Sequence, residues 1–232
     1  MGSLTGKRVC VVVLGDFGRS PRMMYHASSL LACGANVVLV GYRGTPLIDE
    51  LRRADQRLFE PFDWPRARAT HYVLFAVLKL LATIFKLSWV MMSVGRPDAI
   101  LVQNPPSAAL PVVIAFAALR GCRVVVDWHN LGFTTLALAL GCAPSISDDK
   151  RNSALHQKPW IGGVRLVQLC RWAEAVCARQ ASAHLAVTDG MASWLRHSFQ
   201  IESARFHDSP PESFRPMGPA EQHDLFMRLR SE

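Results

Sequence analysis

The stretch "RVCVVVLGDFGRSPR", residues 8–22, decides the fold. Its first seven residues form a continuous apolar run rich in valine, which is typical of a strand buried on both faces of a parallel sheet. Two glycines, Gly15 and Gly18, follow the run. Ser20 and Pro21 then suit the N-cap and the first position of a helix. The stretch therefore predicts a strand that turns directly into a helix, which is the first half of a βα unit.

Similar runs recur along the chain in alternation with helical stretches. The predicted strands are 8–14, 36–42, a short one around 57–61, 99–103, 123–128 and 183–188. The predicted helices are 20–33, 71–94, 106–120, 160–181 and 189–198. This alternation predicts an α/β protein with a Rossmann-like, doubly wound and mostly parallel sheet. Residues 129–158 are rich in turn formers and are predicted to be a long mobile loop at the ligand edge of that sheet.

The composition narrows the class of partner. Hydrophobic residues make up 50% and charged residues 19% of the chain, which indicates a globular protein, and the net charge of +8 favours anionic partners. The basic residues form neither a block nor a basic-aromatic pattern, so no nucleic acid is expected. The six cysteines form no metal motif and are predicted to be reduced thiols in a cytosolic environment. The N-terminal residues show no signal peptide.

Residues 72–94 form an unusually apolar helix whose polar positions are Lys79, Thr83, Lys86 and Ser93. Lys79 and Lys86 are seven residues apart, so they share one narrow stripe. A core helix is seldom apolar over so much of its circumference. We expect the helix to contact a membrane, with its lysines extending toward lipid headgroups and Trp89 at the same surface. Whether it spans the bilayer or lies on it is left open by the balance of apolar and charged residues.

Three loops follow strands and would meet at one edge of the sheet. The loop GDFGRSPR offers glycines, a helix N-terminus and Arg19 and Arg22 to an anion. In NPPS, residues 104–107, Asn104 or Ser107 is expected to cap a helix. In VVVDWHN, Asp127 and His129 are two residues apart and suit acid/base chemistry or the binding of a polyol, although a single histidine at a strand end is more often structural.

Three motifs in this order, "VVVLGDFGRSPRMMYHASSL", "LVQNPPS" and "VVVDWHNLGF", resemble the chitobiosyldiphosphodolichol β-mannosyltransferases. These are GT-B glycosyltransferases of N-glycan precursor assembly. The resemblance implies transfer of mannose, with inversion, from GDP-mannose to the 4-hydroxyl of the second GlcNAc on dolichyl diphosphate. It also implies a location on the cytosolic face of the endoplasmic reticulum membrane and other dolichol-pathway glycosyltransferases as partners. No tightly bound cofactor is implied, and the need for a divalent metal is left open.

The resemblance also assigns residues. The acceptor or diphosphate loop comprises Gly15, Asp16, Gly18, Arg19, Ser20 and Arg22, and Asn104 of the second motif and Asn130 of the third are further substrate-binding residues. Asp127 and His129 match the motif near the sugar-transfer centre. The general base is one of Asp16, Asp127 and His129, and the sequence does not decide among them.

The resemblance covers the acceptor-side half of such an enzyme. We expect residues 1–208 to form the acceptor-side Rossmann-like domain and residues 209–232 to form a linker and terminal helix toward a donor domain that these residues do not contain. Two alternatives stay open. One is a non-catalytic membrane-bound module that binds lipid-linked sugar or a partner glycosyltransferase, and the other is a split enzyme whose donor domain is a separate chain.

Overall fold

The computed structural model describes residues 3–62, 72–142, 161–209 and 216–231. In these residues seven strands form one sheet with the order β3-β2-β1-β4-β5-β6-β7, and every neighbouring pair is parallel. The strands are β1 (Arg8–Asp16), β2 (Asn36–Tyr42), β3 (Asp55–Phe59), β4 (Ala99–Asn104), β5 (Arg123–Trp128), β6 (Ala183–Ala186) and β7 (Ala204–Arg205). The predicted α/β class and parallel sheet are confirmed.

Six of the described helices lie between strands, and a seventh follows β7. They are α1 (Pro21–Ala32), α2 (Tyr72–Ser93), α3 (Ala109–Arg120), α4 (Gly132–Ala139), α5 (Ile161–Ala178), α6 (Asp189–Phe199) and α7 (Pro219–Ser231). Two 3-10 turns, Phe17–Arg19 and Asp49–Arg53, complete the described elements.

Successive side chains of β1 point to opposite faces of the sheet and enter two different cores. Val11 packs in the layer that contains Met23 of α1. Val12 packs in the layer that contains Leu87 of α2 and Ala178 of α5. Because helices cover both faces, the strands are apolar at consecutive positions, as the sequence pattern requires. The six cysteines form no disulfide; Cys10 is buried and the other five are half-buried.

The structure corrects the predicted loop at 129–158. Residues 132–139 form α4, and residues 143–158 lie outside the described part of the chain. The first free N–H groups of α4 donate to Glu174 of the distant helix α5. The residues next to α4 therefore need no capping side chain, and the local sequence carries no signal for the start of this helix. The two-residue strand β7 was also not predicted.

The predicted caps of α3 are wrong. The helix begins at Ala109, its N-cap is Ala108, and no side chain caps it. Residues 106–108 instead form a preceding turn, in which the Pro106 carbonyl accepts from the Ala109 N–H and the Ser107 carbonyl from the Leu110 N–H. Asn104 therefore does not cap α3.

The order of the strands reverses between β1 and β4. β1 is paired with β2 on one side and β4 on the other, and the chain continues from them in opposite directions across the sheet. In open α/β sheets, ligands bind outside the carboxyl ends of the strands at such a switch point. The loops after β1, β4 and β5 meet there.

Candidate functional site

Asp127, near the end of β5, is the centre of a buried ionic cluster at this edge. Its carboxylate accepts from Arg22 Nε at 2.8 Å and Arg22 Nη2 at 2.9 Å, so the arginine binds both oxygens. His26 Nε2 and His129 Nε2 lie 3.1 and 3.0 Å from Oδ2. Burial alone would raise the pKa of Asp127, but the hydrogen bonds from His129, His26 and Arg22 outweigh it and hold that pKa far below its usual range. Asp127 is therefore a fixed negative charge.

His129 is the member of the cluster best placed to exchange a proton with a ligand. Its side chain is 23% exposed, whereas that of Asp127 is fully buried. The ring nitrogen that faces Asp127 is Nε2, so the hydrogen-bond network assigns the proton of a neutral ring to Nε2. Nδ1 is then the nitrogen with a free lone pair. The pair has the geometry of a base oriented by a carboxylate.

A pocket of about 290 Å³ opens beside this pair. It receives side chains from the loop after β1, from α1, from the ends of β4 and β5, and from the segment after β7. The lining residues are Arg19, Ser20, Pro21, Arg22, Tyr25, Gln103, His129, Asp208 and Ser209. Four predicted residues, Arg19, Ser20, Arg22 and His129, are thus brought together.

The two glycines of the first loop have different roles. A Cβ on Gly18 would lie 2.2 Å from the carbonyl oxygen of Thr45, so glycine is required for this close approach. A Cβ on Gly15 would meet nothing nearer than Val13 Cγ1 at 3.8 Å. Gly18 therefore fixes the loop against the segment after β2.

Asp16 lies in the same loop, and its carboxylate accepts hydrogen bonds from neighbouring residues. It accepts from the Thr45 N–H at 3.0 Å, the Thr45 hydroxyl at 2.8 Å and the Gly18 N–H at 3.2 Å. The backbone hydrogen bond from Thr45 is the largest contribution that lowers the pKa of Asp16, and the hydroxyl and Gly18 contribute further. Asp16 is not among the residues that line the described pocket. Its contacts indicate a brace for the loop.

The helix N-terminus after the loop is open to the pocket. Ser20 is the N-cap of α1 and Pro21 is its first residue, as predicted, but the Ser20 side chain makes no capping hydrogen bond. Arg19 is exposed beside it, and no ion pair is found for Arg19 within the described ranges. Ser20 and Arg19 are the groups of this loop that a ligand would meet first.

Asn104 and Asn130 form a brace below the pocket. Asn104 is fully buried, and its Nδ2 donates to Glu174 Oε1 at 2.5 Å and to the Asn130 carbonyl at 3.3 Å. The Asn104 carbonyl accepts from the His129 N–H at 2.9 Å. The side chain of Asn130 accepts from the next N–H, that of Leu131, at 2.8 Å. These two residues, predicted to bind substrate, hold the His129 loop in place.

Sequence reasoning missed several residues of the site, among them Tyr25 and Gln103 of the pocket lining and the charged or titratable residues His26, Glu174 and Asp208. His26 follows Arg22 by four positions, so both project from one face of α1, and that spacing was a usable signal. Glu174 and Asp208 reach the site from α5 and from the segment after β7, and their spacing along the chain carried no signal. No group of three or more His, Cys, Asp or Glu residues suited to a metal ion occurs in the described ranges.

Two of the polar residues of α2, Thr83 and Lys86, face the protein, whereas Lys79 and Ser93 are exposed. Thr83 is buried, and Lys86 Nζ donates to the Glu60 carbonyl at 2.7 Å. The same ammonium lies over the rings of Phe59 and Phe62, at 5.6 and 5.2 Å from their centroids. The predicted extension of Lys86 away from the protein is therefore wrong, because this side of α2 packs on the body of the domain.

The opposite side of α2 is apolar and exposed. We call it the outer stripe, and it comprises Leu78, Leu81, Phe85, Trp89 and Met92. The spacing of three or four residues places these side chains along one line. Phe85 and Trp89 are 71% and 73% exposed. Lys79, on the same stripe as Lys86, is also exposed. Among the described helices, none combines the length and hydropathy needed to cross a bilayer.

Comparison with known proteins identifies the class. Residues 17–210 match the model of the glycosyl transferase 4-like domain, so the chain belongs to that family of glycosyltransferases. The solved structure of Arabidopsis thaliana UGT89C1 in complex with UDP matches 97% of this chain and 56% of its own, with a TM-score of 0.52 and 13% identity. That likeness shows the GT-B-like fold.

Several named glycosyltransferases are similar in sequence to this chain. Chitobiosyldiphosphodolichol beta-mannosyltransferases of Yarrowia lipolytica and Mus musculus are 34% and 32% identical over 94% and 98% of this chain and 44% of each relative. The UDP-glycosyltransferase TURAN of Arabidopsis thaliana is 36% identical over 97% of this chain and 46% of its own. The resemblance drawn from the three motifs is confirmed. The chain spans a little under half the length of these relatives.

Proposed function

We propose that this chain forms the acceptor-side half of a β-1,4-mannosyltransferase of N-glycan precursor synthesis. It would direct mannose from GDP-mannose to chitobiosyl diphosphodolichol. The observation that carries the proposal is the Asp127–His129 pair beside a pocket that also contains Arg19. The acceptor named in the relatives of Yarrowia lipolytica and Mus musculus supports the choice of substrate. The donor, and a second Rossmann-like domain that binds it, follow from the family resemblance.

His129 is the proposed general base. Its Nδ1 would take the proton of the acceptor 4-hydroxyl while the hydroxyl oxygen attacks C1 of the mannose. The bond from C1 to the GDP oxygen breaks, and GDP leaves with the bonding electrons. Attack from the side opposite GDP inverts the configuration at C1. The buried Asp127 carboxylate, 3.0 Å from Nε2, holds the ring and stabilises the imidazolium that forms.

The two carboxylates among the predicted bases are poorly suited to that role. Asp127 and Asp16 both have lowered pKa values, because each accepts several hydrogen bonds. A general base works best when its pKa lies near the working pH. Asp127 is also fully buried, so a sugar hydroxyl would reach His129 first.

Arg19 and Ser20 are the proposed contacts for the acceptor diphosphate. Both line the pocket, at the N-terminus of α1. Free N–H groups at a helix N-terminus and a nearby guanidinium favour a phosphate group. Two sugar rings separate the diphosphate from the reacting 4-hydroxyl, so the chitobiose would extend from Arg19 and Ser20 toward His129, which also lines the pocket.

The outer stripe is the proposed contact with the cytosolic face of the endoplasmic reticulum membrane. A lipid-linked acceptor stays at a membrane surface, and the exposed Phe85 and Trp89 side chains suit the interfacial region. The net charge of +8 favours anionic lipid.

Flotation with vesicles of phosphatidylcholine and phosphatidylserine tests this contact. The double variant Phe85→Asp/Trp89→Asp should lower the bound fraction about tenfold or more, because two large apolar side chains no longer enter the membrane. Phe226→Asp on α7, 66% exposed, is the matched control and should bind as the unaltered chain does. Equal binding by all three proteins would refute the proposed contact.

Mannose transfer to a phytanyl-linked chitobiosyl diphosphate tests the activity, with the chain supplied alone and together with the second half of a relative. His129→Ala should lower the rate about 10²- to 10⁴-fold, the usual contribution of a general base. The matched control is His197→Ala on α6, an exposed residue that contacts its own helix at the Ser193 carbonyl. Equal loss in both variants would refute the assignment of His129.

The alternatives predict different results in the same assay. Binding of the acceptor without transfer, even with a donor-binding half present, would identify a non-catalytic module. Transfer only on addition of a separate cognate chain would identify a split enzyme. Failure of the chain to bind the acceptor at all would refute the proposal.

A further inference from the structure

Arg22 is held by two carboxylates of very different accessibility. Its Nε and Nη2 donate to Asp127, which is fully buried, and its Nη1 donates to Asp208 Oδ1 at 2.8 Å. The Asp208 side chain is 70% exposed and lines the mouth of the pocket. Of the two partners of Arg22, only Asp208 can be replaced by a ligand without opening the core.

The segment that carries Asp208 is fixed to the carboxyl edge of the sheet. The Phe206 N–H donates to the Ala186 carbonyl, and the Phe206 ring lies 5.1 Å from the Arg22 guanidinium carbon. Arg205 pairs with Asp189 at 2.8 Å, at the beginning of α6. These contacts hold Asp208 against Arg22 without a ligand.

The charge of the site is therefore lower than the sequence predicts. Arg19 and Arg22 were expected to bind one anion together, but Asp127 and Asp208 already surround Arg22 with two negative charges. A weakly charged ligand gains little by replacing a carboxylate on Arg22. A diphosphate carries more charge and can contact both Arg22 Nη1 and Arg19.

We infer that Asp208 is a specificity-determining residue for the diphosphate. It occupies the Nη1 donor of Arg22 in the free protein, and the diphosphate of the substrate takes its place on binding. This inference rests on the proposed function for the identity of the ligand, but the exchange itself depends only on Arg22, Asp208 and a diphosphate. Asp208 thereby raises the charge that a ligand needs in order to bind.

Calorimetric titration of the whole chain with inorganic pyrophosphate and inorganic phosphate tests the inference. Asp208→Asn removes the competing charge and should tighten pyrophosphate binding roughly two- to tenfold, the range expected for an exposed ion pair. The ratio of the dissociation constant for phosphate to that for pyrophosphate should fall at the same time. The matched control is Asp189→Asn, which removes one negative charge and frees the same segment at Arg205 without touching Arg22.

Farnesyl diphosphate and GDP, titrated in parallel, distinguish a lipid diphosphate from a nucleotide diphosphate as the ligand. Equal or weaker pyrophosphate binding by Asp208→Asn would overturn the inference, as would the same tightening in Asp189→Asn or the absence of pyrophosphate binding by Asp208→Asn. The predicted tightening without any binding of lipid-linked chitobiose would refute the mannosyltransferase proposal and support the exchange at Arg22.

Discussion

Glu174→Ala should destabilise the fold, because one buried carboxylate binds three donors. Glu174 is 1% exposed. It accepts from Asn104 Nδ2 at 2.5 Å, the Gly132 N–H at 2.8 Å and the Phe133 N–H at 3.1 Å. Truncation to alanine leaves these donors without their acceptor at the beginning of α4 and below the His129 loop.

The magnitude follows from these contacts. A buried donor left without a partner costs about 1–3 kcal/mol. Water that enters the vacated space would restore part of the loss, and removal of a buried charge relieves its desolvation cost. The expected net loss in the free energy of unfolding is about 3 kcal/mol. For a chain of this length the midpoint of thermal unfolding should fall by about 6–12 °C.

Urea unfolding followed by tryptophan fluorescence measures this loss. Glu174→Gln retains Oε1 for Asn104 and Gly132 but places an N–H opposite the Phe133 N–H, so it should cost about 1–2 kcal/mol. Glu202→Ala is the matched control, because Glu202 is 74% exposed and pairs with Arg196 at the surface. It should cost less than about 0.5 kcal/mol. A loss in Glu174→Ala no larger than in Glu202→Ala would refute the reasoning.

Three further predictions follow from local geometry. Gly18→Ala should lower stability by about 1–3 kcal/mol, because its Cβ meets the Thr45 carbonyl, whereas Gly15→Ala should unfold near the unaltered temperature; equal thermal midpoints would contradict this. Burial lowers the pKa of His184 to about 4, below its unfolded value, so the unfolded chain binds the proton first as pH falls. About 3 kcal/mol of stability should thus be present above pH ~6.5 and be lost as pH falls toward ~4, and His184→Gln should flatten that dependence in urea unfolding; an unchanged slope would exclude His184 as its source. Burial also raises the pKa of Cys10 well above its usual value, so iodoacetamide should leave it unmodified in the native chain, as peptide mass spectrometry would detect; rapid native modification would contradict its burial.

The sheet was predictable because its strands are apolar on both faces. The bounds of β2 and β5 agree with the predicted 36–42 and 123–128. The helix α4 was not predictable from its own residues, since Glu174 supplies its N-terminal hydrogen bonds from another helix. The strand β7 has only two residues and exists through its pairing with β6.

The part of the site that follows from the order of strands and helices along the chain was predictable. Carboxyl ends of parallel strands meet at one edge, so Arg22 and His129 were expected to be neighbours. The roles of Asp16 and Asn104 were not evident, because each is set by a partner distant in sequence. Thr45 engages Asp16 at one side of the pocket, and Glu174 engages Asn104 below it.

The cluster around Asp127 joins the first helix to the fifth strand. Arg22 and His26 lie on successive turns of α1, and both contact the Asp127 carboxylate of β5. Removal of that carboxylate would leave Arg22, whose side chain is 9% exposed, with two unpaired donors and with Asp208 as its remaining carboxylate partner. Substitutions at Asp127 should therefore reduce the yield of folded protein before they reduce its rate per molecule. An inherited change at this position would act first on cellular abundance, and ligands that occupy the neighbouring pocket would be expected to restore part of it.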